Sequence, residues 1–239
     1  GLALPGDWRT RFLITGALGL VWVPLWLLVG RDAATVPPST AAVPFRDSRL
    51  WIFAGANCLN MIPYSIWFNW TTKYLVTVFG LSTATANTFA PIPPVFAMLG
   101  GFLCGWASLR LVRRGLTPSL ARYRVCIVCA VVALGGLALP LAPSPIWAAA
   151  GISLSIGAVA GLSVNLYSLP LDTFDPGRAA FAVSILVASY GGVQAVISGP
   201  IGSIIEHYGY LPITLIAAFM PLAACAVLRY GAGERPPGQ

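Results

Sequence analysis

The chain alternates long apolar runs with short polar breaks, and the lengths of the runs predict helices that cross a membrane. The first run covers Phe12 to Gly30, and a Pro-containing polar stretch follows from Arg31 to Arg49. Further runs cover Leu50–Phe79, Ala86–Leu109, Val125–Leu141, Ile146–Leu169, Ala179–Ile205 and Tyr210–Leu228. A helical span needs about 20 apolar residues, so the pattern predicts seven spans in an all-α membrane bundle. Pro and Gly punctuate it: Gly80-Leu81-Ser82 reads as a turn, Pro140, Pro143 and Pro145 mark another, and Glu206-His207-Tyr208-Gly209 a third. The runs are continuously apolar, without the ten-residue alternation of a membrane barrel.

Composition agrees. Of 239 residues, 57% are hydrophobic and only 9% charged, against about 25% charged in soluble domains. So few charges cannot cover a water-exposed surface, which excludes a soluble enzyme or a nucleic-acid-binding domain. The net charge of +7 therefore reports orientation rather than a nucleic-acid partner. With the breaks assigned alternately to two sides, one side holds Arg31, Arg46, Arg49, Arg110, Arg113, Arg114, Arg122, Arg124, Arg178, Arg229 and Arg235. The other holds Arg9, Arg11 and Lys73. Basic loops stay cytoplasmic, so the C-terminus is expected inside a multi-pass cell membrane, a bacterial inner membrane. The N-terminus is then expected outside, which fits further helices upstream.

Polar residues within spans are costly and face protein or water. Asn57, Asn60, Tyr64 and Trp67 follow i, i+3, i+7 and i+10 and share one helix face. Their amides and phenol suit a hydroxylated or carboxylated solute, and equally suit bonds to neighbouring helices. Pro63 lies within the same stripe. Tyr190 and Gln194 stand one turn apart in the sixth run, and Asn165, Tyr167 and Ser168 lie toward the end of the fifth. Gly157 with Gly161, and Gly101 with Gly105, read as close helix contacts. Cys126-x-x-Cys129 lies inside a run without a second pair or His nearby, and reads as packing.

All seven acidic residues (Asp7, Asp32, Asp47, Asp172, Asp175, Glu206, Glu234) sit in breaks or at run ends, so no carboxylate lies mid-membrane. The lone His207 lies in an outer turn. The last run contains no Lys for a retinal Schiff base. HExxH, GxSxG and Walker motifs are absent from the sequence, and neither an enzyme nor a cofactor or metal is expected.

Four segments in order resemble the major facilitator superfamily, closest to its anion:cation symporter branch, which takes up hexuronates, galactonate, glucarate and, in animals, sialic acid. Residues 8–22, Trp8-Arg9-Thr10-Arg11-Phe12 through Trp22, are similar to its sixth helix. Trp70-Thr71-Thr72-Lys73-Tyr74-Leu75 with Gly80-Leu81-Ser82 resembles the end of the seventh. Gly105-Trp106-Ala107-Ser108-Leu109-Arg110-Leu111-Val112-Arg113-Arg114-Gly115 resembles the turn between helices eight and nine. Ser168-Leu169-Pro170-Leu171-Asp172 with Pro176-Gly177-Arg178-Ala179 resembles the turn between ten and eleven.

The resemblance covers essentially the whole chain. It implies helices six to twelve of a twelve-helix fold in which two halves rock around a central site. Residues 1–30 would be the last helix of the N-terminal half, 31–49 the cytoplasmic inter-half loop, 50–229 the C-terminal six-helix half and 230–239 a cytoplasmic tail. Asn57 matches the polar position of helix seven, and Tyr167 the aromatic position before the Leu-Pro of helix ten. Tyr190 and Gln194 match helix eleven more loosely, and Asn60 and Tyr64 join through their shared face. The implied activity is proton-coupled secondary transport of a sugar acid by alternating access. A permease for an aromatic acid or drug, or a non-transporting membrane scaffold, are the alternatives. The expected partners are a small organic anion, the bilayer and the N-terminal half, which carries the family's proton-linked carboxylates and substrate-binding Arg. Leu109 departs from the pattern, standing where the family has an Asp.

Overall fold

The computed structural model describes residues 8–29 and 45–232. Residues 31–44 of the inter-half loop expected over 31–49, with Asp7, Asp32, Arg31, Glu234 and Arg235, lie outside the described residues. The chain divides into two compact units, residues 1–39 and 40–239. The first contributes α1 (Trp8–Val29), which contains Pro24 and whose segment Phe12–Val29 is apolar enough to cross a bilayer.

The second unit contains α2 (Ser48–Phe79), the single-turn α3 (Thr83–Asn87), α4 (Ile92–Arg113), α5 (Pro118–Ala133), α6 (Pro145–Thr173), α7 (Pro176–Tyr208) and α8 (Leu211–Ala232). A tighter 3-10 stretch, Leu134–Leu141, extends α5. The helix ends follow from local chemistry. The Asp47 carboxylate accepts the Arg49 backbone N–H at 2.9 Å and caps α2, and Ser82 Oγ accepts from Thr85 N at 3.1 Å to start α3. Proline stands in the first turn of α4, α5, α6 and α7, where its missing N–H costs nothing. Gly80, at φ 66°, closes α2 in the left-handed region that a side chain disfavours.

Several breaks are shorter than the sequence suggests. Between the arginines of 110–124 only Arg114 to Thr117 lies outside a helix, because α4 runs to Arg113 and α5 starts at Pro118. The expected turn at Glu206-His207-Tyr208-Gly209 is mostly the last turn of α7, which stops at Gly209, φ 72°. Among the described residues, six segments are both long and apolar enough to span. The 32-residue α2 is amply long but does not pass on apolarity. The reason is its interior polar residues, which the bundle covers: Asn57, Asn60 and Ser65 are all buried.

Two apolar cores form the bundle. One joins the first part of α2 (Leu50–Ala56) to α5, the later part of α6, the start of α7 and the end of α8. The other joins Ile66–Leu75 of α2 to the start of α6, the end of α7 and the start of α8. Between them, residues 57–65 of α2 and 187–200 of α7 supply no buried member of either core, only partly buried residues at their edges such as Leu59, Tyr64 and Ile197. Asn57, Asn60, Ser65, Tyr190 and Gln194 lie in that interval.

The closest helix approach is between α4 and α6. A Cβ on Gly157 would sit 2.8 Å from the Phe96 carbonyl oxygen, and one on Gly161 would sit 2.9 Å from Cys104 Cβ. A Cβ on Gly100 would overlap the Gly157 carbonyl. Gly157 and Gly161 thus make the contact expected of them. On α4, however, Gly100 lies nearer the α6 backbone than Gly105, whose Cβ would meet only Val164 at 3.5 Å. Because the obstacle at Gly157 is backbone, Gly157→Ala is expected to cost about 1–3 kcal/mol through overpacking. Gly199, with open space around it, is the control. Thermal unfolding in detergent checks this: Gly157→Ala melts earlier, and Gly199→Ala changes by no more than a helix-propensity effect.

Candidate functional site

The polar stripe of α2 enters the interval between the cores and divides there. Asn57, fully buried, donates its Nδ2 to the Leu186 carbonyl at 2.7 Å and to Ser189 Oγ at 3.1 Å, both on α7. One turn later Asn60, also fully buried, donates to the Val159 carbonyl at 3.2 Å and to Ser163 Oγ at 2.9 Å, both on α6. Two adjacent amides therefore tie α2 to two different helices. The carboxamide oxygens behave otherwise: Asn57 Oδ1 and Asn60 Oδ1 are buried and accept no hydrogen bond from the described residues.

The aromatic residues converge beside Asn57. The ring of Tyr64 stacks on Phe68, with centroids 5.5 Å apart, and meets Tyr190 edge-on at 6.2 Å. The Tyr167 hydroxyl lies beside the Asn57 amide. Tyr190 is within electrostatic reach of both Tyr64 and Tyr167. All three tyrosines and Gln194 are half-buried. Gln194 Oε1 accepts from Ser65 Oγ, which fixes the α7 side of the group against α2.

The structure thus brings together Asn57, Tyr64, Tyr167, Tyr190 and Gln194. Asn60 sits apart, turned to Ser163 on α6. Trp67, at the end of the same stripe, is 1% exposed and belongs to the second apolar core. The ten-residue stripe accumulates enough rotation to carry its last member away from α7. Asn165 serves α4 instead, donating to the Gly161 carbonyl at 3.0 Å and to the Cys104 carbonyl at 3.4 Å. Ser168 bonds back to Val164 within its own helix at 2.8 Å.

Sequence reasoning passed over Ser65, Ser163 and Ser189, which answer the amides and Gln194. Ser65 stands eight residues after Asn57 on the same helix face, and that spacing was the available signal. The other two have no local signature, because their role depends on which helices become neighbours. The described group contains no acidic or basic side chain. It can offer hydrogen bonds and aromatic faces, and nothing in it titrates near neutrality.

Charge lies at the helix ends. Arg122, near the start of α5, engages Asp172, near the end of α6, through Nε and through Nη2 (3.1 Å to Oδ1). Leu109, Arg122 and Asp172 line one cleft of about 280 Å3. The Arg110 guanidinium lies 5.1 Å from the centre of the Trp106 ring.

The sequence profile of the Major Facilitator Superfamily matches residues 1–195. The chain belongs to this superfamily. It is a multi-pass membrane protein with an all-α bundle. Among curated proteins it is similar to the hexuronate transporter of Escherichia coli strain K12, at 22% identity over 93% of this chain and 57% of that protein. It is also similar to a probable galactarate/D-glucarate transporter of Pseudomonas putida, at 37% identity over 34% of this chain and 17% of that protein. A probable sulfoacetate transporter of Cupriavidus necator shares 25% identity over 92% of this chain and 57% of its own length. The chain spans a little over half the length of the relatives that it matches almost end to end.

Interhelical side-chain hydrogen bonds in membrane proteins average about 0.6 kcal/mol and reach about 1.7. Asn60→Ala removes two such donors from Asn60 but also its unanswered Oδ1, and is expected to cost no more than about 1.5 kcal/mol. Asn60→Leu adds bulk between α2 and α6 and is expected to cost more. Unfolding of both variants in mixed micelles checks this order.

Proposed function

We propose that the helices α2–α8 form one wall of the path of a secondary transporter for a small organic anion, a sugar acid of the hexuronate or aldonate type. Transport runs by alternating access, and the chain's basic side, with its C-terminus, faces the cytoplasm of the cell membrane. Family membership and the transporter names of the relatives support transport over catalysis. The observation that carries the site is the uncharged cluster of Asn57, Tyr64, Tyr167, Tyr190 and Gln194 between the two apolar cores. Three phenols and an amide acceptor that the helices leave unanswered suit the hydroxyl groups of a polyhydroxylated solute. Asn60 acts with them from the α6 side, holding the α2 backbone that positions Asn57.

Coupling to protons is proposed for the complete transporter. The carboxylates within the described spans, Asp172 and Glu206, stand at the ends of α6 and α7 and not mid-membrane, so the coupling group belongs to helices that face this wall. Within the proposal, residues 1–30 close the first half, 31–49 join the halves, 50–229 form the second half and 230–239 form the tail.

Uptake of labelled galacturonate and glucarate by the full-length protein in membrane vesicles tests the reading. Tyr190→Phe and Gln194→Ala are expected to lower apparent affinity for the sugar acid about tenfold each, a loss of about 1.4 kcal/mol. Both are to be checked for unchanged amounts of folded protein. Uptake of another solute class with no sugar-acid uptake would sink the substrate assignment. Sugar-acid uptake insensitive to both substitutions would remove the site.

A further inference from the structure

The structure assigns a dithiol that the sequence conceals. Cys126-x-x-Cys129 is the apparent pair, yet Cys126 is fully buried in the first core, with its Sγ 3.9 Å from the Leu162 carbonyl. Cys129, one turn further along the same face and in the same core, meets a different partner. Its Sγ lies 3.4 Å from Cys104 Sγ, on the neighbouring helix α4. Both are free thiols. Disulfide bonding needs sulfurs at about 2.05 Å, so closure requires the two to approach by only about 1.4 Å.

Both sulfurs of the pair open on a common cleft. Cys104 and Cys129 both line one cleft of about 280 Å3 among α4, α5 and α6, walled by Phe96, Leu99, Leu103 and Val132. Cys104 is half-buried and Cys129 is 4% exposed, so Cys104 is the sulfur that a reagent meets first. The walls are almost wholly apolar. A charged or hydrated oxidant is disfavoured there and a lipid-soluble one is admitted.

We propose that Cys104 and Cys129 form an oxidation site for hydroperoxides of bilayer lipids, closing to a disulfide that ties α4 to α5. In the first step Cys104 sulfur attacks the terminal peroxide oxygen. The O–O bond breaks, the lipid alcohol leaves with a proton, and Cys104 becomes a sulfenic acid. In the second step the Cys129 thiol displaces that hydroxyl, the S–S bond forms and water leaves. One peroxide is reduced by two electrons, and two thiols are oxidised by two. Cys104 sulfur also packs into the space left by Gly161, so a bond fixed there holds α4 at its closest contact with α6 as well.

The test is chemical and independent of any transport assay. The full-length protein in native membranes is exposed to cumene hydroperoxide, free thiols are alkylated, and the digest is analysed by mass spectrometry without reduction. A peptide linking Cys104 to Cys129, lost on reduction and retained in Cys126→Ser, is the expected result. In Cys129→Ser the sulfenic acid of Cys104 is expected to persist and to be trapped by dimedone. Recovery of Cys104 and Cys129 as alkylated thiols in the wild-type protein overturns the proposal, and so does linkage through Cys126 or Cys225. The wild-type digest decides the matter even if Cys129→Ser does not fold.

Discussion

A bilayer offers no water to hydrogen-bond a polar side chain inside it, and the arrangement of α2 follows from that constraint. Asn57 and Asn60 must find partners within the bundle. They find them on different neighbours, Leu186 and Ser189 of α7 and Val159 and Ser163 of α6. Because the two amides are only one turn apart, α6 and α7 are held to the same stretch of α2. The polar layer between the two apolar cores exists because these bonds need a level at which to form. On the proposed reading it is also the level at which a solute is met.

The layer and the glycine contact work in opposite senses. Along α4 and α6, Gly157 and Gly161 bring the backbones so close that no side chain can be inserted, and the contact is rigid by steric exclusion. Along α2 and α7, the contact is made by amides, phenols and Ser65 with Gln194, and around them α7 is largely uncovered. Close packing without water resists sliding, whereas a hydrogen bond can be given up where another partner takes its place. On the proposed reading the hydroxyl groups of the solute are such partners, and the α2–α7 side is the one that can move.

Much of this was legible in the sequence, for identifiable reasons. The number and order of the long helices followed from the apolar runs, while their ends were set by prolines, glycines and caps that the runs did not mark. Of the six residues singled out from spacing and resemblance, Asn57, Tyr64, Tyr167, Tyr190 and Gln194 lie together and Asn60 does not. What failed to show is equally specific. The split of the stripe, with Asn60 turned to α6 and Trp67 sunk in a core, depends on where neighbouring helices lie. Helical spacing places residues on a face but does not say what the face meets. The cysteines make the same point. The CxxC spacing put Cys126 and Cys129 on one face and in one core, yet the sulfur that Cys129 reaches is on another helix, 25 residues earlier in the chain.

The absence of charge in the described group has a consequence for recognition on the proposed reading. An anion cannot be held in an apolar bundle without a compensating charge or a dense set of donors. Around Asn57 the donors on the amide nitrogen are already engaged by α7. What remains is three phenols and one buried acceptor, Asn57 Oδ1, and the acceptor suits a hydroxyl group and repels a carboxylate. These helices would therefore read the hydroxylated end of the solute, and the carboxylate would be met by the helices that face them. Such a division makes selectivity among sugar acids a property of this wall, and affinity for anions in general a property of the other.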